Sequence, residues 1–117
     1  MDSPEAQVKE LAVFCEGARR HEEAGFTYFF LPQLRLPEGC EPAAVDALLC
    51  PMPRDGYTSR LFFASQPKPL QKVNPTALNW NANSVRILER NWHAHSWRTP
   101  TGLTLLQMLA IHLKSLQ

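Results

Sequence analysis

Ten prolines are spread through this chain of 117 residues, and they constrain its fold more than any other feature. Each proline fixes φ, removes a backbone N–H and breaks a helix interior. A helical bundle is thereby excluded, and short elements joined by rigid loops are expected. At this length one domain, residues 1–117, is the default, and the chain can bury one real core. Hydrophobic residues make up 44% of it and charged residues 20%, which is too apolar for a disordered chain.

Periodicity selects the elements between the turns. Residues 3–22 are predicted helical. Ser3 can cap that helix, Pro4 suits its first turn, and Glu5 favours the positive end of its dipole. Val8, Leu11, Ala12, Cys15 and Ala18 form one apolar stripe, and Gly25 stops it. Phe26 to Leu36 reads as a strand, with Leu34 and Leu36 alternating with Gln33 and Arg35. Ala43 to Cys50 has helical propensity but is bounded by turns, and a strand is expected there. Tyr57 to Ala64 is the next strand. Ser65 to Asn83 has no clear period and forms a long loop, a kind of segment that is often functional in a compact domain. Ser84 to Asn91 is predicted to make a short helical turn. A last helix opens at Thr99-Pro100, runs over 100–116 and buries Leu103, Leu106, Ala110 and Leu113. The expected fold is α+β: a helix, about three antiparallel strands in a meander, a long loop and a helix.

Composition excludes several function classes. Twelve Lys and Arg against eleven Asp and Glu give a net charge of +1, so no electrostatic footprint for nucleic acid stands out. No apolar run approaches the roughly 20 residues that span a bilayer. The acidic start Met1-Asp2-Ser3-Pro4-Glu5 lacks the apolar core of a signal peptide. Cys15, Cys40 and Cys50 are odd in number and widely spaced, as expected of reduced thiols in a cytoplasmic protein. No cofactor motif is present.

Polar residues with catalytic potential gather after the expected sheet. Asn74, Asn79, Asn81, Asn83 and Ser84 are followed by Trp92-His93-Ala94-His95-Ser96-Trp97. Asparagines in a loop commonly cap turns, and tryptophans commonly anchor a core. His93-x-His95 with His112 has the makings of a zinc site, but no carboxylate or cysteine lies nearby in sequence. The alternatives for His93 and His95 are proton transfer next to a hydroxyl nucleophile, or two half-exposed histidines with no chemistry.

The same residues resemble the ubiquitin-conjugating (carrier) enzymes. In that family a first helix precedes a meander sheet and a long active-site loop that opens with His-Pro-Asn. The catalytic cysteine follows ten residues after that His, and a Trp comes eight residues later, before a Leu-rich helix. Here Asn74-Pro75-Thr76 stands at the His-Pro-Asn position, Ser84 ten residues after Asn74, and Trp92 eight after Ser84. Thr101 to Leu116 resembles the helix that follows. Pro53-Arg54-Asp55-Gly56-Tyr57 resembles the family's Pro-x-x-Tyr-Pro turn. The departures are a serine for the cysteine and Thr76 for the asparagine.

The chain is most similar to the superfamily's bacterial branch, found in defence operons beside activating enzymes and ubiquitin-like proteins. The resemblance implies a transferase that accepts a ubiquitin-like protein from an activating enzyme as an oxyester on Ser84 and passes it to a target, in anti-phage defence. It implies no cofactor, metal, nucleic acid or membrane. Serine is a weak nucleophile without a base, so His93 or His95 is expected beside it. Asn74, Asn81 or Asn83 could stabilise an oxyanion. The alternative is a carrier-like module that has lost catalysis and only docks a ubiquitin-like protein or its activating enzyme.

Overall fold

The computed structural model describes residues 4–69, 84–95 and 97–116. Helix α1 spans Pro4–Phe14. Strands β1 (Arg19–Glu23), β2 (Phe26–Arg35), β4 (Ala44–Cys50) and β5 (Arg60–Phe63) form one antiparallel sheet in the order β1-β2-β4-β5. Between them β3 (Cys40–Glu41) pairs with β6 (Lys68–Pro69). Strands β7 (Val85–Ile87) and β8 (Arg90–Trp92) make a hairpin, and α2 spans Leu105–Lys114. The fold is α+β, with an antiparallel sheet and two helices. Among the described residues no helix is long and apolar enough to cross a membrane.

The expected helix over 3–22 is divided in two. Gly17 has φ +87°, and a Cβ there would meet the Pro32 ring at 3.1 Å. That residue turns the chain out of α1, and the charged run Arg19-Arg20-His21-Glu22-Glu23 becomes the edge strand β1. Ala24 and Gly25, at φ +52° and +84°, then form the two-residue turn into β2. Positive φ at both central residues matches the right-handed twist of the flanking strands. The meander thus has four strands where three were expected.

Strand β2 contains Pro32, which has no N–H for a ladder. The register with β4 slips between Leu31 and Leu34 at this point. Gln33 takes up the extra residue with φ +48°, and its N–H donates to Asp46 Oδ1 at 2.8 Å. Beyond this bulge Leu34 and Leu36 are buried while Gln33 and Arg35 are exposed, the alternation read from the sequence.

Both faces of the sheet are covered. One face packs Phe29, Leu31, Leu34, Val45, Ala47, Leu49, Leu61 and Phe63 against Leu11 and Cys15 of the first helical segment and Leu105, Met108, Leu109 and Leu113 of α2. The other packs Tyr28, Leu48, Cys50 and Phe62 against Ile87, Trp92 and Ala94. Burial on two sides explains why β4 and β5 read as continuous apolar runs with little alternation. It also explains the ambiguity of residues 43–50, which form a strand from Ala44 to Cys50.

The segment expected to be a helical turn, 84–91, contains β7 and most of β8. Leu88 and Glu89 occupy the hairpin turn at φ +51° and +63°. The Leu88 N–H donates to the Glu23 carboxylate at 2.6 Å, and the Leu88 side chain packs on the second core. The final helix starts later than expected. Its N-cap is Thr104, which accepts from Gln107 N–H at 3.2 Å, while the Gln107 side chain accepts from Thr104 N–H at 2.9 Å. That reciprocal pair is a capping box. Helix α2 buries Leu105, Met108, Leu109, His112 and Leu113. Of the expected stripe only Leu113 is fully buried; Leu103 and Leu106 are half-buried and Ala110 is exposed.

Candidate functional site

The hairpin delivers the serine. Ser84 is exposed and directly precedes β7. The β7–β8 ladder pairs Val85 with Trp92, Arg86 with Asn91 and Ile87 with Arg90. Continued by one residue, that register sets Ser84 opposite His93. Beyond β8 the chain reaches the edge of the main sheet. His93 exchanges both backbone hydrogen bonds with Phe63, each 2.7 Å long. Its N–H and C=O therefore turn toward β5, and its other side is a non-hydrogen-bonded position. Opposed side chains on antiparallel strands come closest at such positions. Trp92 holds this arrangement from below. It is 1% exposed, and its Nε1–H donates to the Ile87 carbonyl at 2.9 Å. Phe30 meets its ring edge-on, and the Arg90 guanidinium lies 4.9 Å from its centroid.

His93 is half-buried and Ser84 is exposed, and no hydrogen bond joins their side chains among the described residues. His95 lies elsewhere. It is 4% exposed, stacks on Phe63 with ring centroids 6.1 Å apart, and contacts Ser115 Oγ through Nε2 at 2.7 Å. The Ser115 hydroxyl donates to the His112 carbonyl at 2.6 Å. One proton assignment satisfies both contacts: His95 Nε2–H donates to Ser115. In that role His95 ties the segment after β8 to the end of α2. Asn74, together with Asn79, Asn81, Asn83 and Ser96, lies outside the described residues.

A second serine and histidine meet in the interior. Ser59 Oγ is 2.9 Å from His112 Nε2 and 2.6 Å from Thr99 Oγ1. All three residues are buried. Burial pushes the His112 imidazole down to about 3, and the His95 and Arg60 charges push the same way. His112 is therefore neutral near pH 7. Arg60, also buried, reaches Asp55 at 2.9 Å and the His95 carbonyl at 3.4 Å. The sequence reading did not single out Ser59 or Ser115. The available signal was His112 itself, since a histidine on the apolar face of a helix needs a polar partner.

The zinc trio is not gathered, because His112 Nε2 engages Ser59 and His95 Nε2 engages Ser115. Among the described residues no three His, Cys, Asp or Glu side chains converge as a metal-binding group. The thiols are poor rivals to Ser84. Cys15 and Cys50 are buried and Cys40 is half-buried. Burial pushes all three upward, and the Asp46 charge adds to this at Cys15. Thiols held protonated are weak nucleophiles.

Comparison of the chain with protein-family models, with curated proteins and with solved structures finds no match.

Proposed function

We propose that this chain is a bacterial carrier of the ubiquitin-conjugating type, serving anti-phage defence in the cytoplasm. It accepts a ubiquitin-like protein from an activating enzyme on Ser84 and hands it to a target protein. The observation that carries this reading is the hairpin register, which aims exposed Ser84 and half-buried His93 at one edge of the sheet. The coarse α+β order supports it: a first helix, an antiparallel meander and a final helix, with the β7–β8 hairpin between meander and final helix. In the loading step the Ser84 hydroxyl attacks the carbonyl of the thioester on the activating enzyme. His93 takes the hydroxyl proton, a C–O bond forms, the C–S bond breaks, and the thiolate leaves. Asn74 is the residue suggested as donor to the oxyanion. The product is an oxyester, less reactive toward amines than a thioester. His95, bonded to Ser115, takes the part of a positioning residue for the strand that carries His93.

The experiment is covalent loading. Incubated with its activating enzyme, its ubiquitin-like protein and ATP, the chain forms an adduct that survives thiol reductant and breaks in hydroxylamine or mild alkali. Ser84→Ala abolishes it, and Ser84→Cys converts it to a reductant-sensitive thioester. A reductant-sensitive adduct on the unaltered chain would move the nucleophile to Cys15, Cys40 or Cys50. The absent hydrogen bond between Ser84 and His93 favours a second reading, in which the fold docks a ubiquitin-like protein or its activating enzyme without reacting. That reading takes over if a demonstrably active upstream enzyme yields no adduct.

A further inference from the structure

Helix α2 carries more apolar surface than the core uses. Met108, Leu109 and Leu113 point inward, but Leu106 and Ala110, one turn apart, lie half-buried and exposed. Together with Leu109 and Leu113 they form one wall of a groove of about 670 Å³. Val13 and Phe14 at the end of α1, and Leu36 and Pro37 beyond β2, line the same groove. Val13 is 85% exposed and Phe14 53%, the exposed large apolar side chains among the described residues. Two groups of the groove wall are charged, and both are basic: Arg35 and Lys114. Neither has an ion-pair partner among the described residues.

We propose that this groove docks an apolar helical segment of a partner protein, flanked by acidic residues. The proposal is independent of Ser84, which lies on the hairpin. The ten residues of α2 make a helix about 15 Å long beside the groove, against which a partner helix of about two to three turns could lie. Such a helix would set residues spaced i, i+3, i+4 and i+7 against Leu106, Ala110, Val13 and Phe14. Its carboxylates would meet Arg35 and Lys114 at the rim. A concave wall suits a convex helix better than a plane of lipid. A second copy offers a weaker complement, because α1 brings Lys9 as well as Glu5 and Glu10 to a basic rim.

The test uses helical peptides of about four turns displayed on phage, with their apolar and flanking positions randomised. They are selected on the full chain and counter-selected on Ala110→Glu, a change at an exposed helix position. Recovered peptides should carry Leu, Ile, Phe or Met at helical spacing with Asp or Glu beside them. In solution, Phe14→Glu and Ala110→Glu should each weaken the best peptide by roughly tenfold or more. Arg35→Glu combined with Lys114→Glu should shift the preference from acidic to basic flanks. Peptides without acidic bias, or binding that ignores Ala110→Glu, would overturn the proposal. So would a self-association that Phe14→Glu disperses, or sedimentation with anionic phosphatidylserine vesicles that Phe14→Glu abolishes. Failure to recover any groove-dependent peptide would overturn it as well. None of these outcomes bears on adduct formation at Ser84.

Discussion

Besides the buried His95–Ser115 contact at 2.7 Å, two places in this molecule bring a serine toward a histidine, and they differ in opposite ways. In the interior, Ser59 and His112 stand at 2.9 Å, a good hydrogen-bond length, with Thr99 beside them. At the sheet edge, the β7–β8 register continued by one residue sets Ser84 opposite His93, and no bond joins them. Distance alone would assign the chemistry to the interior pair. Burial reverses that assignment, because a hydroxyl sealed between sheet and helix cannot reach the carbonyl of another protein. The interior contacts satisfy polar groups that would otherwise cost about 1–3 kcal/mol each. At the edge Ser84 is exposed, and on the proposed function its bond to His93 would form only when a large partner is bound.

The largest expected effect separates the two pairs by function. Ser84→Ala should remove the adduct entirely without changing the unfolding midpoint beyond the usual scatter of a surface change. Ser59→Ala should do the reverse, lowering stability by about 1 kcal/mol while adduct formation persists. Gel-shift loading and urea titration of both variants decide it. Loss of the adduct in a well-folded Ser59→Ala protein would transfer the catalytic role to the interior.

His112 should give the next largest effect. His112→Ala leaves a cavity and removes one of the two partners of the Ser59 hydroxyl, Thr99 remaining as the other, at a cost of about 2–4 kcal/mol. The pH dependence is a finer measurement. Burial holds the folded imidazole near 3, against an ordinary value of 6.5, so the unfolded chain binds the extra proton between those limits. His112 therefore contributes fully above about pH 6.5, and its contribution falls as the solution is acidified. The slope is at most about 1.4 kcal/mol per pH unit. His112→Gln keeps a polar partner for Ser59 without titrating, so its stability should vary less between pH 6.5 and 4.5. Parallel profiles for the two proteins would show that His112 is not buried neutral.

Much of this contrast was legible in the sequence, and the rest was hidden for physical reasons. Strand β2 could be read from the alternation of Leu34 and Leu36 with Gln33 and Arg35, whereas Ser84 and Trp92 were singled out only through the resemblance to the carrier enzymes, and His93 and His95 together without a choice between them. The meander's first strand was hidden because Arg19 to Glu23 is an exposed edge with no apolar alternation, following a convincing helical stripe. The end of that stripe depends on Gly17 and its contact with Pro32, fifteen residues away. The buried face of α2 was misread because the helix has two apolar faces, and sequence cannot say which one meets the sheet. The difference between His93 and His95 was also out of reach. It depends on Ser115, twenty residues along the chain, which holds His95 inside the fold.

The hairpin that frames the edge pair supplies the smallest and finest prediction. Turns of this type are usually announced by Asn-Gly or Asp-Gly, because both central residues need φ above zero. Here they are Leu88 and Glu89, at +51° and +63°, which is why the sequence suggested a helical turn. Leu88 is compensated by its packing, half-buried, against the second core and by the Glu23 carboxylate. Glu89 is exposed, and its left-handed backbone costs about 1 kcal/mol relative to glycine. Glu89→Gly should therefore stabilise the protein by up to about 1 kcal/mol, less what the freer unfolded chain takes back. The interior pair should be unaffected, and adduct formation at Ser84 should hold or improve as the β7–β8 register tightens. A destabilised Glu89→Gly protein with unchanged loading would mean that the turn is not strained and that the register does not govern Ser84.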